Sequence, residues 1–186
     1  VIGSRGTFTI NLSRGEIPRM AFTFTGTYTR PDAATPSGTD IADFVAPVPV
    51  TNINTPTYVL DDGSPLASVV AESFSVDIGN NVIARNVINN EEIMITDRNA
   101  TGNTVIEAPD ISTRNWFSDA ESNNGVTLLQ LSLVHGTTAG NIVAFDCPSV
   151  QLTSLSQDNS DDLVVYNMGL SLIPVSGNDE ITITVR

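Results

Sequence analysis

Apolar and polar residues alternate along much of this chain with a period of two. In residues 7–13 and again in residues 20–28, nearly every second side chain is apolar and the intervening ones are mostly threonine. Such a period places alternate side chains on opposite faces of a β-strand, so both segments are predicted to be half-buried strands. Residues 14–18 between them are typical of a turn, and the two strands therefore form a predicted hairpin.

The same alternation recurs in residues 74–78, 93–95, 126–134, 142–145, 150–155, 163–172 and 181–185. Residues that tolerate positive φ separate several of these segments, at positions 61–63, 79–81, 124–125 and 177–179. We therefore expect a mainly β protein, an antiparallel β-sandwich or barrel, that forms a single domain over residues 1–186. Its core is predicted from the apolar strand faces: Phe8, Ile10, Phe22, Phe24, Phe74, Val76, Leu129, Leu131 and Leu133.

One segment has the pattern of a helix. Residues 108–121 are predicted to form a short flanking helix, because Pro109 suits a first helical turn and Asp110 suits the N-terminal end of the helix dipole. Trp116 and Phe117 are the large apolar side chains of this segment. We expect both to attach the helix to the core.

Residues 30–65 differ from the rest of the chain because prolines recur among alanine, threonine, aspartate and asparagine. Proline cannot donate to a β-ladder, so few of these residues suit a sheet interior. A connection of this length in a compact domain is typical of a functional arm or a free linker. Its apolar residues favour an arm that docks on a neighbouring surface: Ile41, Phe44, Val45, Val48 and Val50.

The amino-acid composition excludes several classes of protein. A length of 186 residues with 40% hydrophobic residues suffices for a packed core and excludes intrinsic disorder. No run approaches the roughly 18–20 apolar residues that a membrane helix needs, so no membrane partner is expected. The single cysteine, Cys147, excludes an internal disulfide bond.

The charge is strongly acidic, with 21 acidic and 8 basic residues and a net charge of -13. All of the basic residues are arginines, since the chain contains no lysine. This balance argues against ordinary nucleic-acid binding, in which lysine and arginine neutralise phosphates. Two interpretations remain at this point: the charge serves solubility, or it forms a surface that repels a polyanion.

Candidate catalytic and metal-binding residues are few. His135, the only histidine, lies at the end of an apolar strand, and Cys147 precedes a proline, so neither suits a nucleophile and base pair. Asp158, Asp161 and Asp162 resemble a calcium loop in composition but lack its glycine and terminal glutamate, which favours a solvated loop. We expect neither an enzyme nor a bound cofactor.

A series of short strings then becomes informative through its order along the chain. The strings are RGTFT at 5–9, GEIPRMAFTFTG at 15–26, NTP at 54–56, ITDR at 95–98 followed by Gly102, VIEAP at 105–109, HGTTAGNIV at 135–143 and GNDEIT at 177–182. Together they resemble a family of tail tube proteins of long-tailed bacteriophages. Members of that family carry a further segment before the position of Val1, which predicts that an N-terminal segment precedes this chain.

The resemblance implies a structural subunit of the virion, assembled in the host cytoplasm. Such subunits close into hexameric or pseudo-hexameric rings, stack ring on ring and meet other tail proteins at the tube ends. The genomic DNA passes through the channel without specific binding, and an acidic wall would repel its phosphates. A capsid decoration protein and a monomeric β-sandwich binding module, adhesin-like or carbohydrate-binding, are the alternatives.

Two parts of the chain are candidates for the surfaces of such a tube. The strand pairs 7–28 and 73–88 each present a polar face of small or acidic residues, so we expect them to line the channel with Glu72 and Asp77. The arm over residues 30–65, with the apolar residues named above, is the candidate contact between rings.

Overall fold

The structure is a computed structural model that describes residues 1–30, 33, 38, 45–62, 68–121 and 128–186. Most of these residues are in antiparallel strands. The strands are β1 (Ile2–Ser13), β2 (Arg19–Thr27), β3 (Thr57–Asp61), β4 (Ala71–Asp77), β5 (Asn80–Val87), β6 (Asn90–Arg98), β7 (Thr101–Glu107), β8 (Leu129–His135), β9 (Val143–Ser160), β10 (Leu163–Leu172) and β11 (Thr182–Val185). A short helix, α1, spans Trp116–Glu121.

The strands form two layers that share the long strand β9. The first layer has the order β2-β1-β4-β7-β10-β9, and in it residues 150–160 of β9 pair with β10. In the second layer, residues 143–150 of the same strand pair with β8, which pairs in turn with the edge strand β3, and β11 pairs with residues 143–146. The hairpin β5–β6 forms a separate two-stranded sheet.

The core lies between the two layers. Tyr58 of β3 packs against Phe74 of β4 with ring centroids 5.8 Å apart, and its hydroxyl donates a hydrogen bond to Thr104 Oγ1 of β7 at 2.9 Å. Ile10, Leu131 and Met168 are among the fully buried side chains around this contact. The fold is thus an antiparallel β-sandwich with barrel-like curvature and a short flanking helix, as the alternation predicted.

The first predicted hairpin is confirmed, with Phe8 opposite Phe22 and Ile10 opposite Met20. Most predicted core residues are buried: Ile10, Phe74, Val76, Leu129, Leu131 and Leu133. Phe8 is half-buried against the core. The prediction is wrong for Phe22 and Phe24, which are exposed, because β2 is the edge strand of the first layer and overhangs the second.

The helix is shorter than predicted. It begins at Trp116 because the side chain of Asn115 caps it, accepting hydrogen bonds from the backbone N–H groups of Phe117 and Ser118. Asp110 instead stabilises a preceding turn by accepting a hydrogen bond from the N–H of Ser112. The anchoring role predicted for the aromatic pair is confirmed, since Trp116 is 1% exposed and the Phe117 ring meets Tyr166 edge-on at 5.6 Å.

Two further expectations need correction. Residues 57–61, inside the predicted arm, form β3, which fits a proline-flanked segment because β3 is an edge strand: β8 pairs with it on one side, and on the other side Val59 forms an isolated bridge with Ser68. Residues 73–88 do not form a hairpin: β4 pairs with β1 and β7, whereas β5 pairs with β6. The tight turn at Gly79, with φ of 63°, redirects the chain out of the first layer between β4 and β5.

Candidate assembly surfaces

The first layer has one apolar and one polar face, and the polar face is open. Cross-strand pairing aligns Thr9, Asp77, Thr101 and Ser171 in one row and Asn11, Ser75, Asn103 and Gly169 in the next. The Asn103 amide donates a hydrogen bond to Asn167 Oδ1 at 2.8 Å across two strands of this face. These two rows therefore carry mainly hydroxyl and amide groups.

Few charges interrupt this polar face. Register places Arg5 opposite Thr25, Arg19 opposite Asn11, and Glu107 and Asp158 on either side of Val165. With Asp77, these are charged side chains that the first layer directs to this side. The strongly acidic composition is thus concentrated elsewhere on the molecule.

An apolar surface lies on the opposite side of the edge strand β2. Phe22 is 55% exposed and Phe24 is 68% exposed, and their rings stack at 6.0 Å with an interplanar angle of 7°. Phe8 of β1 extends the group, with its ring centroid 5.8 Å from that of Phe22. We call these three side chains the aromatic overhang. Exposed aromatic groups of this kind mark interaction surfaces.

The first layer ends in two strand edges. At one end, the outer side of β2 has no paired strand among the described residues. At the other end, residues 151–160 of β9 pair with β10 on one side, and no described strand pairs with their other side. Unpaired edges present rows of backbone donors and acceptors that can pair with a further strand.

The two acidic candidates from the sequence lie at opposite ends of β4 and are not brought together. Asp77 is exposed and its Oδ1 accepts a hydrogen bond from the N–H of Gly79 at 2.9 Å. Glu72 lies 3.1 Å from Arg14, and both its carboxylate oxygens accept the hydrogen bond of Ser160 Oγ at 2.9 Å. The carboxylate of Glu72 is therefore held by an ion pair and a hydrogen bond within the chain, whereas that of Asp77 faces solvent.

The model of the family described as phage tail tube protein matches residues 3–186. The chain belongs to this family. It is therefore a structural component of a phage tail, and the family implies assembly with copies of itself and with other virion proteins.

This tail tube family member was also compared with solved structures and with curated protein sequences. A chain in a structure entitled virion of native gene transfer agent particle is similar over 73% of this chain and 99% of its own length, with 10% identity and a TM-score of 0.47. A comparison with curated protein sequences gives no match. The family assignment thus rests on the family model.

The described part of the arm docks on its own chain. Val50 exchanges backbone hydrogen bonds with the β1–β2 turn, donating to the Glu16 carbonyl and accepting from the Gly15 N–H, both at 2.8 Å. Val48 accepts a hydrogen bond from the His135 ring through its carbonyl oxygen, and Val45 is exposed. Ile41 and Phe44 lie outside the described residues.

The histidine and the cysteine have structural surroundings. His135 is 7% exposed; its Nε2 donates to the Val48 carbonyl oxygen at 3.2 Å, and its Nδ1 accepts from Thr55 Oγ1 at 2.8 Å. Burial lowers the pKa of His135 below its ordinary value. Cys147 is 1% exposed, and burial raises the pKa of its thiol to about 12, which leaves it protonated and a poor nucleophile at neutral pH.

The acidic loop after β9 is tied to the chain by an arginine. Asp161 forms an ion pair with Arg14, and Asp158 accepts a hydrogen bond from the N–H of Asn159. Among the residues that the structure describes, no group of three or more acidic, histidine or cysteine side chains is placed to hold a metal ion. Within the same residues, no helix has both the length and the apolar character to cross a bilayer.

Sequence reasoning missed the aromatic overhang and the two edges of the first layer with which no described strand pairs. Alternation identifies which side chains share a face of a strand, but it gives no signal of whether a second layer covers that face. Both the overhang and the edges depend on which strands pair with each other. Those strands are far apart in the sequence, and no local sequence pattern predicts their order.

Proposed function

We propose that copies of this chain close into rings by pairing the β2 edge of one copy with residues 151–160 of β9 in the next. The observation that carries this proposal is that, among the described residues, no strand pairs with the outer edge at either end of one antiparallel layer. Contact between two different patches is heterologous, and it produces a closed ring when the rotation between copies closes. Six copies, or three copies of a duplicated form, are the expected number.

The aromatic overhang supports the same contact. Leu152 and Leu155 of β9 lie on the apolar side of the layer, so pairing of the two edges would place them beside Phe22 and Phe24 of the next copy. Burial of each phenylalanine contributes about 1.5–3 kcal/mol relative to exposure. A glycan-binding platform explains the overhang less well, because its phenylalanine rings carry no hydrogen-bonding group for a sugar.

We further propose that the polar face of the first layer lines the channel through which DNA passes. Hydroxyl and amide groups provide a hydrated wall without the clustered cations that grip phosphates. Asp77 is the acidic side chain that the inner strand β4 presents on this face, and it would repel DNA within about a Debye length, roughly 8–10 Å at physiological salt. Because Glu72 is paired with Arg14, Asp77 is the better candidate for the channel wall.

Ring closure is tested by charge placed on either face of β2. Phe24→Asp puts a carboxylate into the proposed contact and should abolish rings seen by negative-stain microscopy and analytical ultracentrifugation. Thr25→Asp adds the same charge one residue away, on the polar face, and should leave rings intact. Equal ring formation by the two variants would contradict edge pairing, and wild-type protein that stays monomeric at high concentration would contradict ring assembly itself.

The channel wall is tested by charge reversal in assembled tubes. Asp77→Arg should leave rings intact but retain short duplex DNA on a filter at low salt. Asp97→Arg is the matched control, since Asp97 is also exposed and also accepts a hydrogen bond from a nearby backbone N–H but lies on β6, outside this face. DNA retention by both variants, or by neither, would remove Asp77 from the channel.

A further inference from the structure

The β5–β6 hairpin leaves the first layer at one end of its strands and carries an exposed apolar tip. Val87 is 43% exposed and Ile88 is 100% exposed, and Asn89, with φ of 67°, completes the tight turn at the tip. The base of the hairpin is fixed, because Asn80 donates hydrogen bonds to Thr7 Oγ1 and to the Gly6 carbonyl oxygen. The tip is therefore a positioned apolar projection.

An apolar cleft lies at the other end of the same layer. Its volume is about 290 Å³, and its apolar lining includes Leu12, Val50, Val69, Val70, Ala71 and Phe74. Val70, at 62% exposure, lies at its mouth. Cavities of about 150 Å³ already accept a benzene-sized group, so this cleft can accept an isoleucine side chain.

We propose that the tip and the cleft of different copies bind each other: Val87 and Ile88 of one subunit enter the cleft of a subunit in the next ring. This inference rests on the ring assembly proposed above. Strand β4 shows why the contact is between copies, since it begins at the cleft with Ala71 and ends with Asp77 at the hairpin base. Seven residues of strand separate the two ends by roughly 20 Å.

The direction of this contact suits stacking. Because the tip and the cleft are different surfaces at opposite ends of the strands, the contact is heterologous and repeats without closing, which produces a linear array. The charged groups at the two ends are paired within the chain, Arg14 with Glu72 and Asp161 at the cleft and Arg85 with Glu92 near the tip. The contact therefore rests on the apolar fit of tip and cleft.

The first experiment compares two aspartate substitutions at exposed apolar residues. Ile88→Asp should leave rings intact but reduce the fraction of stacked rings at least tenfold in negative-stain images. Val175→Asp is the control, since Val175 is 65% exposed and lies in the segment that follows β10. Both sites are exposed, so neither substitution disturbs the core. Tubes of wild-type length from Ile88→Asp would overturn the proposal.

The second experiment is a cross-link. A Val70→Cys, Ile88→Cys double variant should give a ladder of disulfide-linked chains when stacked tubes are oxidised, whereas each single variant should give no ladder. Cys147 is buried and should not contribute. Stacked tubes without a ladder would overturn the pairing of tip and cleft but leave ring assembly in place, whereas a wild-type protein that forms no rings would refute ring assembly and this inference together.

Discussion

At the scale of single residues, Arg114 has the most contacts with opposite charge. It lies 3.1 Å from Asp61, 2.9 Å from Asp62 and 2.8 Å from Asp119, and its guanidinium is 4.7 Å from the centre of the Trp116 ring. Its hydrogen bond holds the pKa of the Asp62 carboxyl below the usual range, while burial raises the pKa of Asp119. One cation thus joins the end of β3 to the helix.

Replacement of this cation should lower stability. Arg114→Met keeps much of the side-chain volume but removes the charge from three carboxylates, and we expect a loss of about 2 kcal/mol in the free energy of unfolding. Arg85→Met is the comparison, because Arg85 forms a single, longer and more exposed ion pair and should cost less than about 0.5 kcal/mol. Urea denaturation measures both values, and equal losses would contradict this role of Arg114.

His135 should make the protein sensitive to mild acid. Its pKa is lower in the folded than in the unfolded chain, so the unfolded chain binds a proton more readily, and stability is lost as the pH falls below the ordinary value of 6.5. The free energy of unfolding should therefore decrease between pH 7.5 and pH 5.5. His135→Gln should reduce this pH dependence, as measured by urea denaturation at the two pH values. An unchanged difference in the free energy of unfolding would show that other groups cause the pH dependence.

At the scale of elements, strand alternation predicted the β1–β2 hairpin and most of the buried positions correctly. The start of α1 was predicted too early, because Pro109 and Asp110 suit a first helical turn locally, whereas the helix begins where Asn115 caps it. Residues 57–61 are predicted to belong to the arm because prolines lie on both sides of them. As a strand of only five residues, they depend on β8 for pairing. Pairing between distant segments is a tertiary effect, so the β-propensity of a short segment does not predict it.

The β8–β9 connection depends on glycine, and two of its glycines can be compared directly. Gly136 has φ of 93° and Gly140 has φ of 85°, so alanine is strained at both. A methyl group at Gly136 would also overlap the carbonyl oxygen of Asn141, whereas one at Gly140 would point into open space. Gly140→Ala should cost about 1–2 kcal/mol, and Gly136→Ala should cost clearly more.

Thermal denaturation of the two alanine variants provides the measurement. Because the strain is similar at both sites, the difference in melting temperature isolates the backbone contact at Asn141. Equal melting temperatures would show that the connection rearranges without cost.

At the scale of the whole molecule, the amount of charge follows from composition, whereas its position follows from the fold. Net charge predicts an acidic surface but does not say which face carries it, and the polar face of the first layer holds mainly hydroxyl and amide groups. The sequence identified β1, β2 and β4 as strands with polar faces, and the structure places these faces on one side of one layer. The surroundings of Glu72 could not be predicted from the sequence, because its contacts with Arg14 and Ser160 come from distant parts of the chain.

Self-assembly should be strengthened by salt. A net charge of -13 per chain opposes contact between copies, and the Debye length falls from about 10 Å at 0.1 M to about 3 Å at 1 M ionic strength. Raising sodium chloride from 0.05 M to 0.5 M should therefore increase the fraction of protein in assemblies, as measured by sedimentation velocity. Dissociation of assemblies by salt would instead indicate that ion pairs dominate the contacts.

Strand β9 has a mechanical consequence. Its 18 residues belong to both layers, so the backbone itself joins them. A tail that bends or is pulled applies shear to each of its subunits, and here such a load would pass along a covalent chain instead of through side-chain packing alone. The two halves of the sandwich cannot slide apart without breaking hydrogen bonds along β9, so this strand carries the tensile load between the two layers.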